Sequence, residues 1–171
     1  VDRHERSSYQ LASKLPTMYL KEEGDQERIF QEQLNKCGVE YFDYYLMHAI
    51  TRKNYDQYIN CRAFETALEL KAEGKIRHVG FSFHDTPEAL EQILRDVPDM
   101  EFVQLQFNYV DYIDPRIQSK ACYEVCRKHG KPVIVMEPVK GGSLVNLPQK
   151  ALDLMTDCAA SYAIRFAADP E

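Results

Sequence analysis

Residues 73–94 read EGKIRHVGFSFHDTPEALEQIL. An apolar, β-forming run from Ile76 ends on Ser82. Shortly afterwards Asp85 or Thr86 can cap a helix, with Pro87 in its first turn and Leu90, Ile93, Leu94 and Val97 on one stripe. A strand thus ends on a polar, chemically capable residue and passes at once into a helix. The same device recurs along the chain. YQLASK ends on Lys14, YFDYYLMH on His48, FVQLQFN runs past Gln104 to Asn108, and PVIVME ends on Glu137. Successive members of the set Lys14, His48, Ser82, Gln104 and Glu137 are 22 to 34 residues apart, about the length of one βα unit.

Strands of this kind, apolar with little alternation, are expected to be covered on both faces. The intervening helices have readable ends. Asp25 is expected to cap one that carries Phe30, Leu34 and Cys37 on one face and stops at Gly38. Phe64, Ala67 and Leu68 mark the next, which ends at Gly74. Ala121, Cys122 and Val125 mark another, ending at Gly130, and Tyr162, Ala163 and Phe166 belong to the last. Thr51–Asn54, Asp114-Pro115 and the Gly141–Pro148 stretch read as loops.

Alternating β and α predicts a parallel sheet with right-handed crossovers. An open doubly wound sheet usually carries a Gly-rich phosphate turn after its first strand, and neither GxGxxG nor GxxxxGK[ST] occurs here. Polar residues at nearly every strand end favour a barrel, whose active site lies at the C-terminal rim of the strands. The expected fold is therefore α/β, a (β/α)8 TIM barrel of which about five βα units are present, in a single partial barrel domain over residues 1–171. The sequence reads as the middle of a barrel, because about 250 residues are typical of the whole.

Composition narrows the function. The chain has 171 residues, 44% hydrophobic and 28% charged, with a net charge of -6 and no concentrated run of Lys and Arg. Nucleic acid and anionic membranes are poor partners for such a chain. No apolar run reaches the ~18 residues of a membrane span. The charged opening VDRHERSSYQ lacks the apolar core of a secretory signal. Five cysteines, an odd number mostly inside helix patterns, favour free thiols and a cytoplasmic location.

Six segments in order resemble the aldo-keto reductases: LASKLP (11–16), LNKCGVEYFDYYLMH (34–48), EGKIRHVGFSFHD (73–85), FVQLQFNYVD (102–111), PVIVMEPVKGGSL (132–144) and ASYAIRFAA (160–168). They are most similar to the bacterial branch that often carries a C-terminal iron–sulfur module. Order and spacing match the third to seventh strands of that barrel. The resemblance implies hydride transfer between NADP(H) or NAD(H) and an aldehyde or ketone, a small-molecule carbonyl substrate. In that family a tyrosine protonates the developing alkoxide, assisted by a lysine and an aspartate, while a histidine orients the carbonyl. Lys14 matches the lysine and His48 the histidine, which makes them the catalytic candidates. Ser82 and Gln104 match residues that hydrogen-bond the nicotinamide carboxamide. Met136 stands where many members stack an aromatic ring on the nicotinamide, which makes these three the cofactor-binding candidates. Phe83 replaces an asparagine that often follows the serine. No tyrosine here sits in the family's catalytic motif, and the family aspartate and tyrosine precede its third strand. The expectation is therefore an incomplete site with weak activity or none on its own. The chemistry is coherent: a nearby ammonium lowers a phenol's pKa, and a neutral imidazole can donate to a carbonyl oxygen as charge builds.

Rival readings are simpler. His78 and His84 with His48 suggest a metal, but no carboxylate or cysteine lies at ligand spacing, so none is expected. His78 should point inward with Ser82, one layer deeper. Cys122 and Cys126, at i and i+4, read as core, and Glu137 and Lys140 as a solvated loop. A non-catalytic module for binding or assembly is the alternative to a reductase. Five strands leave two unpaired edges, through which copies could self-associate.

Overall fold

The computed structural model describes residues 4–169, so the first three residues of the charged opening and the last two of the chain lie outside it. Five strands, β1 (Ala12–Leu15), β2 (Phe42–Ile50), β3 (Ile76–Phe83), β4 (Phe102–Gln106) and β5 (Val133–Met136), form one sheet. Every pairing is parallel, and the spatial order is β1-β2-β3-β4-β5, the order of the sequence. A doubly wound sheet reverses direction at a switch point. This sheet never does, so it keeps rolling one way, as a barrel wall must.

Helices α1 (Asp25–Cys37), α2 (Tyr55–Asn60), α3 (Ala63–Ala72), α4 (Pro87–Asp96), α5 (Ser119–Lys128) and α7 (Ala159–Ala168) cover its outer face, while the short α6 (Gln149–Leu152) buries none of its residues. The core lies between those helices and alternate strand residues: Leu15, Tyr45, Met47, Val79, Phe81, Phe83, Val103 and Leu105, all buried. Phe30 of α1 packs edge-on against both Phe42 and Tyr45. Thr86 caps α4 by accepting from the Ala89 N–H, with Pro87 at the start of the helix. Gly38, at φ 64°, closes α1 through its N–H bonds to the Asn35 and Leu34 carbonyls.

Several expectations need correction. The cap position of α1 is Gly24, and the Asp25 carboxylate instead accepts from the Lys21 and Glu22 N–H groups of the preceding loop. The strands are not covered on both faces throughout. The four residues of β5 are all half-buried, because its inner side faces the concave surface and one edge has no partner strand among the described residues. β2 does not stop at His48 but continues to Ile50, and two short helices, α2 and α6, were not foreseen. No described helix is long and apolar enough to cross a membrane.

Candidate active site

Strand register determines what the concave face presents. Lys14 lies beside Leu46, Leu46 beside Gly80, and Gly80 beside Phe102. One rung towards the C-terminal rim, Ser82 lies beside Gln104 and Gln104 beside Ile134. Gln106 and Met136 make the last rung. The floor is aromatic, with Phe102 edge-on to Tyr44 and Tyr44 stacked on His78. Gly80 makes that floor possible: a Cβ there would sit 2.4 Å from the Phe102 carbonyl oxygen and 2.8 Å from its ring.

Lys14 Nζ donates to Gln104 Oε1 at 2.5 Å, from β1 to β4. Three strand spacings of about 4.8 Å separate such strands in a flat sheet. Side chains standing upright on a flat sheet would not meet across that gap, so the bond reflects the inward curl. Desolvation holds the Lys14 ammonium below its ordinary value. His48 is exposed at the rim. Desolvation, then the Lys14 charge, hold its imidazole below the ordinary value of about 6.5, so it is neutral at pH 7. His84 is lowered by desolvation and then by His48 and Lys14, which places the three cations-to-be in one neighbourhood.

The backbone around His48 is unusual. Ala49 has φ +53°, a left-handed conformation that costs a non-glycine residue on the order of 1–2 kcal/mol. Register shifts between Met47 and Ile50. Fully buried Ser82 accepts the Ala49 N–H on its Oγ at 2.8 Å, and Asn54 Nδ2 donates to the Ala49 carbonyl at 2.9 Å. Tyr58 Oη donates to the His48 carbonyl at 2.7 Å, and Thr17 Oγ1 reaches the same carbonyl at 3.1 Å. Burial pushes the Tyr58 phenol up to about 12, and it lies on the helix side of β2. It is no proton donor for the concave face.

The profile of the Aldo/keto reductase family matches residues 1–163. The chain belongs to the aldo/keto reductase family. A Bacillus subtilis (strain 168) protein described as the uncharacterized oxidoreductase YtbE is 27% identical over 133 residues, 78% of this chain and 42% of that protein. An aldo/keto reductase structure from Brucella melitensis superposes with a TM-score of 0.75 at 20% identity, covering 98% of this chain and 61% of that one. An aldo-keto reductase from Klebsiella pneumoniae, solved in complex with NADPH, gives a TM-score of 0.67 at 21% identity, covering 91% of this chain and 54% of that one. The chain thus spans less than half of the curated relative and little more than half of these structures. Its five βα units are those of a partial TIM barrel.

Within this aldo/keto reductase chain the remaining polar residues sort clearly. His78 is two rungs below Ser82 rather than one, with its Nδ1 at 3.0 Å from Glu101. Glu101 also binds Lys71 and the Val79 N–H, so His78 is tied into the barrel wall. Among the described residues no three His, Cys, Asp or Glu side chains converge on a metal site. Cys122 and Cys126 are buried free thiols, pushed up to about 12 by that burial. Lys140 is no solvated loop residue: it pairs with Asp111, which is fully buried and also accepts from Gln106 and Asn108, each at 2.6 Å. Asn108 Nδ2 further reaches the Glu137 carbonyl at 3.1 Å and so joins the loops after β4 and β5. Asp111, Tyr58 and Asn54 escaped the sequence reading. Only the Asn108–Asp111 spacing, typical of a side chain that binds its own turn, gave a usable signal.

Proposed function

We propose that this chain supplies the lysine, histidine and carboxamide-binding part of an NAD(P)H-dependent reductase site acting on an aldehyde or ketone. One observation carries this reading: residues from three strands, Lys14, His48 and Gln104, gather at one rim, and Lys14 and Gln104 touch across the concave face. A reduced nicotinamide, when bound, supplies the hydride that adds to a carbonyl carbon. Ser82 and Gln104 fit its carboxamide. The Ser82 Oγ accepts from Ala49, which leaves its O–H free to donate. The Gln104 Oε1 accepts from Lys14, which leaves its Nε2 hydrogens free. Met136, on the last rung beside Gln106, offers an apolar thioether towards the same rim. Neutral His48 donates a hydrogen bond to the substrate oxygen as negative charge builds there. Lys14 stabilises the ionised form of a proton donor other than Tyr58. The NADPH-bound Klebsiella pneumoniae relative supports the choice of cofactor class. The free thiols fit a reducing cytoplasm.

Titration of the 171-residue chain with NADPH, followed by fluorescence, should give saturable binding that Q104A weakens about tenfold, the loss expected from one or two hydrogen bonds. Little turnover is expected with a reactive aromatic aldehyde. A rate near that of an intact reductase would refute the helper-only reading.

The half-exposed β5, with an edge that has no partner strand among the described residues, favours a second reading in which copies associate through sheet edges. Sedimentation of a single 20 kDa species across micromolar concentrations would exclude it.

A further inference from the structure

The turn after His48 holds a strained residue, Ala49. Strict alternation along β2 would place Leu46, His48 and Ile50 on one face. Instead Ile50 is fully buried in the outer core, paired with Phe83, while His48 stays exposed near Lys14. The extra residue, Ala49, makes this split possible by adopting φ +53°. A β-bulge of this kind re-aims side chains at barrel rims. Alanine does not favour that conformation, so its surroundings must enforce it.

They do so from several directions. Ser82 Oγ holds the Ala49 N–H, Asn54 Nδ2 holds the Ala49 carbonyl, and Asn54 Oδ1 holds the Thr51 N–H at 2.8 Å. Tyr58 Oη holds the His48 carbonyl and lies 2.6 Å from Thr17 Oγ1. The His84 N–H binds the Ile50 carbonyl at 3.0 Å and closes the far side. We infer that Tyr58 and Asn54, with Ser82, are positioning residues that clamp a strained bulge and thereby aim the His48 imidazole into the concave face. Ser82 then has two duties, one towards Ala49 and one towards the site. The inference deepens the reductase reading and rests on it only for the catalytic meaning of His48.

The readout is the imidazole of His48, followed by NMR in the 171-residue protein with labelled histidine. H48Q assigns the resonance. Lys14 and His84 are its titratable neighbours, while His78 and His129, held by Glu101 and Glu91, serve as internal controls. Y58F and N54A should each move the His48 titration midpoint upward by half a unit or more, with both controls unmoved. Glycine takes φ +53° without steric cost. The double variant A49G/Y58F should therefore return the midpoint towards its original value, a rescue that loss of general stability would not give. If Y58F does not fold, N54A and the rescued A49G/N54A carry the same comparison. Variants that lower the melting temperature while leaving His48 unchanged, or that move every histidine together, overturn the inference. NADP+ added to the unaltered protein tests the underlying reading separately. A His48 resonance that ignores saturating cofactor overturns the reductase reading, and the clamp is then judged on the variants alone.

Discussion

The two rims of the sheet are both rich in charge and use it in opposite ways. At the N-terminal rim Asp43 is buried and answered from every side. It binds Arg6 at 2.6 Å, Arg77 at 2.9 Å and the Leu11 N–H at 2.8 Å. Both guanidinium groups also lie over the Tyr41 ring. At the C-terminal rim the Lys14 ammonium meets a neutral amide rather than a carboxylate, and His48 sits exposed beside it. Charge at the first rim is matched because it holds the barrel wall together. At the second, Asp111 is matched by Lys140, but Lys14 and His48 meet no carboxylate among the described residues, so an incoming group can complete them. This is the division a βα barrel makes between a stabilising face and a working face.

The contrast can be broken most strongly at Asp43. D43A removes the shared partner of two cations and an N–H, and should cost about 3 kcal/mol. That corresponds to roughly 6–12 °C in melting temperature for a chain of this size, measurable by calorimetry. A loss below about 1 kcal/mol would mean the N-terminal rim is no better matched than the other.

Acid should separate the rims next. Burial raises the Asp43 carboxyl, but Leu11, Arg6 and Arg77 outweigh it and hold the group below its ordinary value. Its contribution is present above about pH 4 and lost only as pH falls further. His48 and His84 are lowered as well, but for a histidine this means that the folded state resists protonation. Their contribution is complete above about pH 6.5 and declines as pH falls below it. Urea midpoints should therefore drop between pH 7 and pH 5, and H48Q/H84Q should flatten that slope while leaving the loss below pH 4.

The smallest effect belongs to Lys14. K14M keeps the apolar stem and removes a partly desolvated charge, so stability should change by no more than about 0.5 kcal/mol in either direction. A substitution almost silent in melting that raises the His48 titration midpoint and weakens NADPH binding would place Lys14 firmly on the working rim.

The sequence revealed the framework more readily than the site's support. β3 and α4 were legible because an apolar run, a Thr cap and an N1 proline are local signals. Lys14, Ser82 and Gln104 were legible as strand-end residues on the same face. The bulge at Ala49 was not, since nothing about an alanine announces positive φ, and the groups that enforce it come from α2, β3 and the loop between β2 and α2. The Asp25 cap failed for a similar reason: Gly24 took the left-handed turn, and the carboxylate turned to the loop before it. Asp111 escaped notice because its ionic partner, Lys140, comes from the separate loop after β5.

The Lys14–Gln104 bond also has a bearing on how the chain reaches this shape. It joins residues 90 positions apart on strands that are not neighbours. Neither partner can find the other until β2 and β3 are seated between them and the wall has begun to curl. Contacts of such long sequence separation carry a high loop-closure cost and form late. The bond is therefore a natural reporter of the last stage of assembly. A probe that senses it would register the moment at which a stack of βα units becomes a curved wall with an inside.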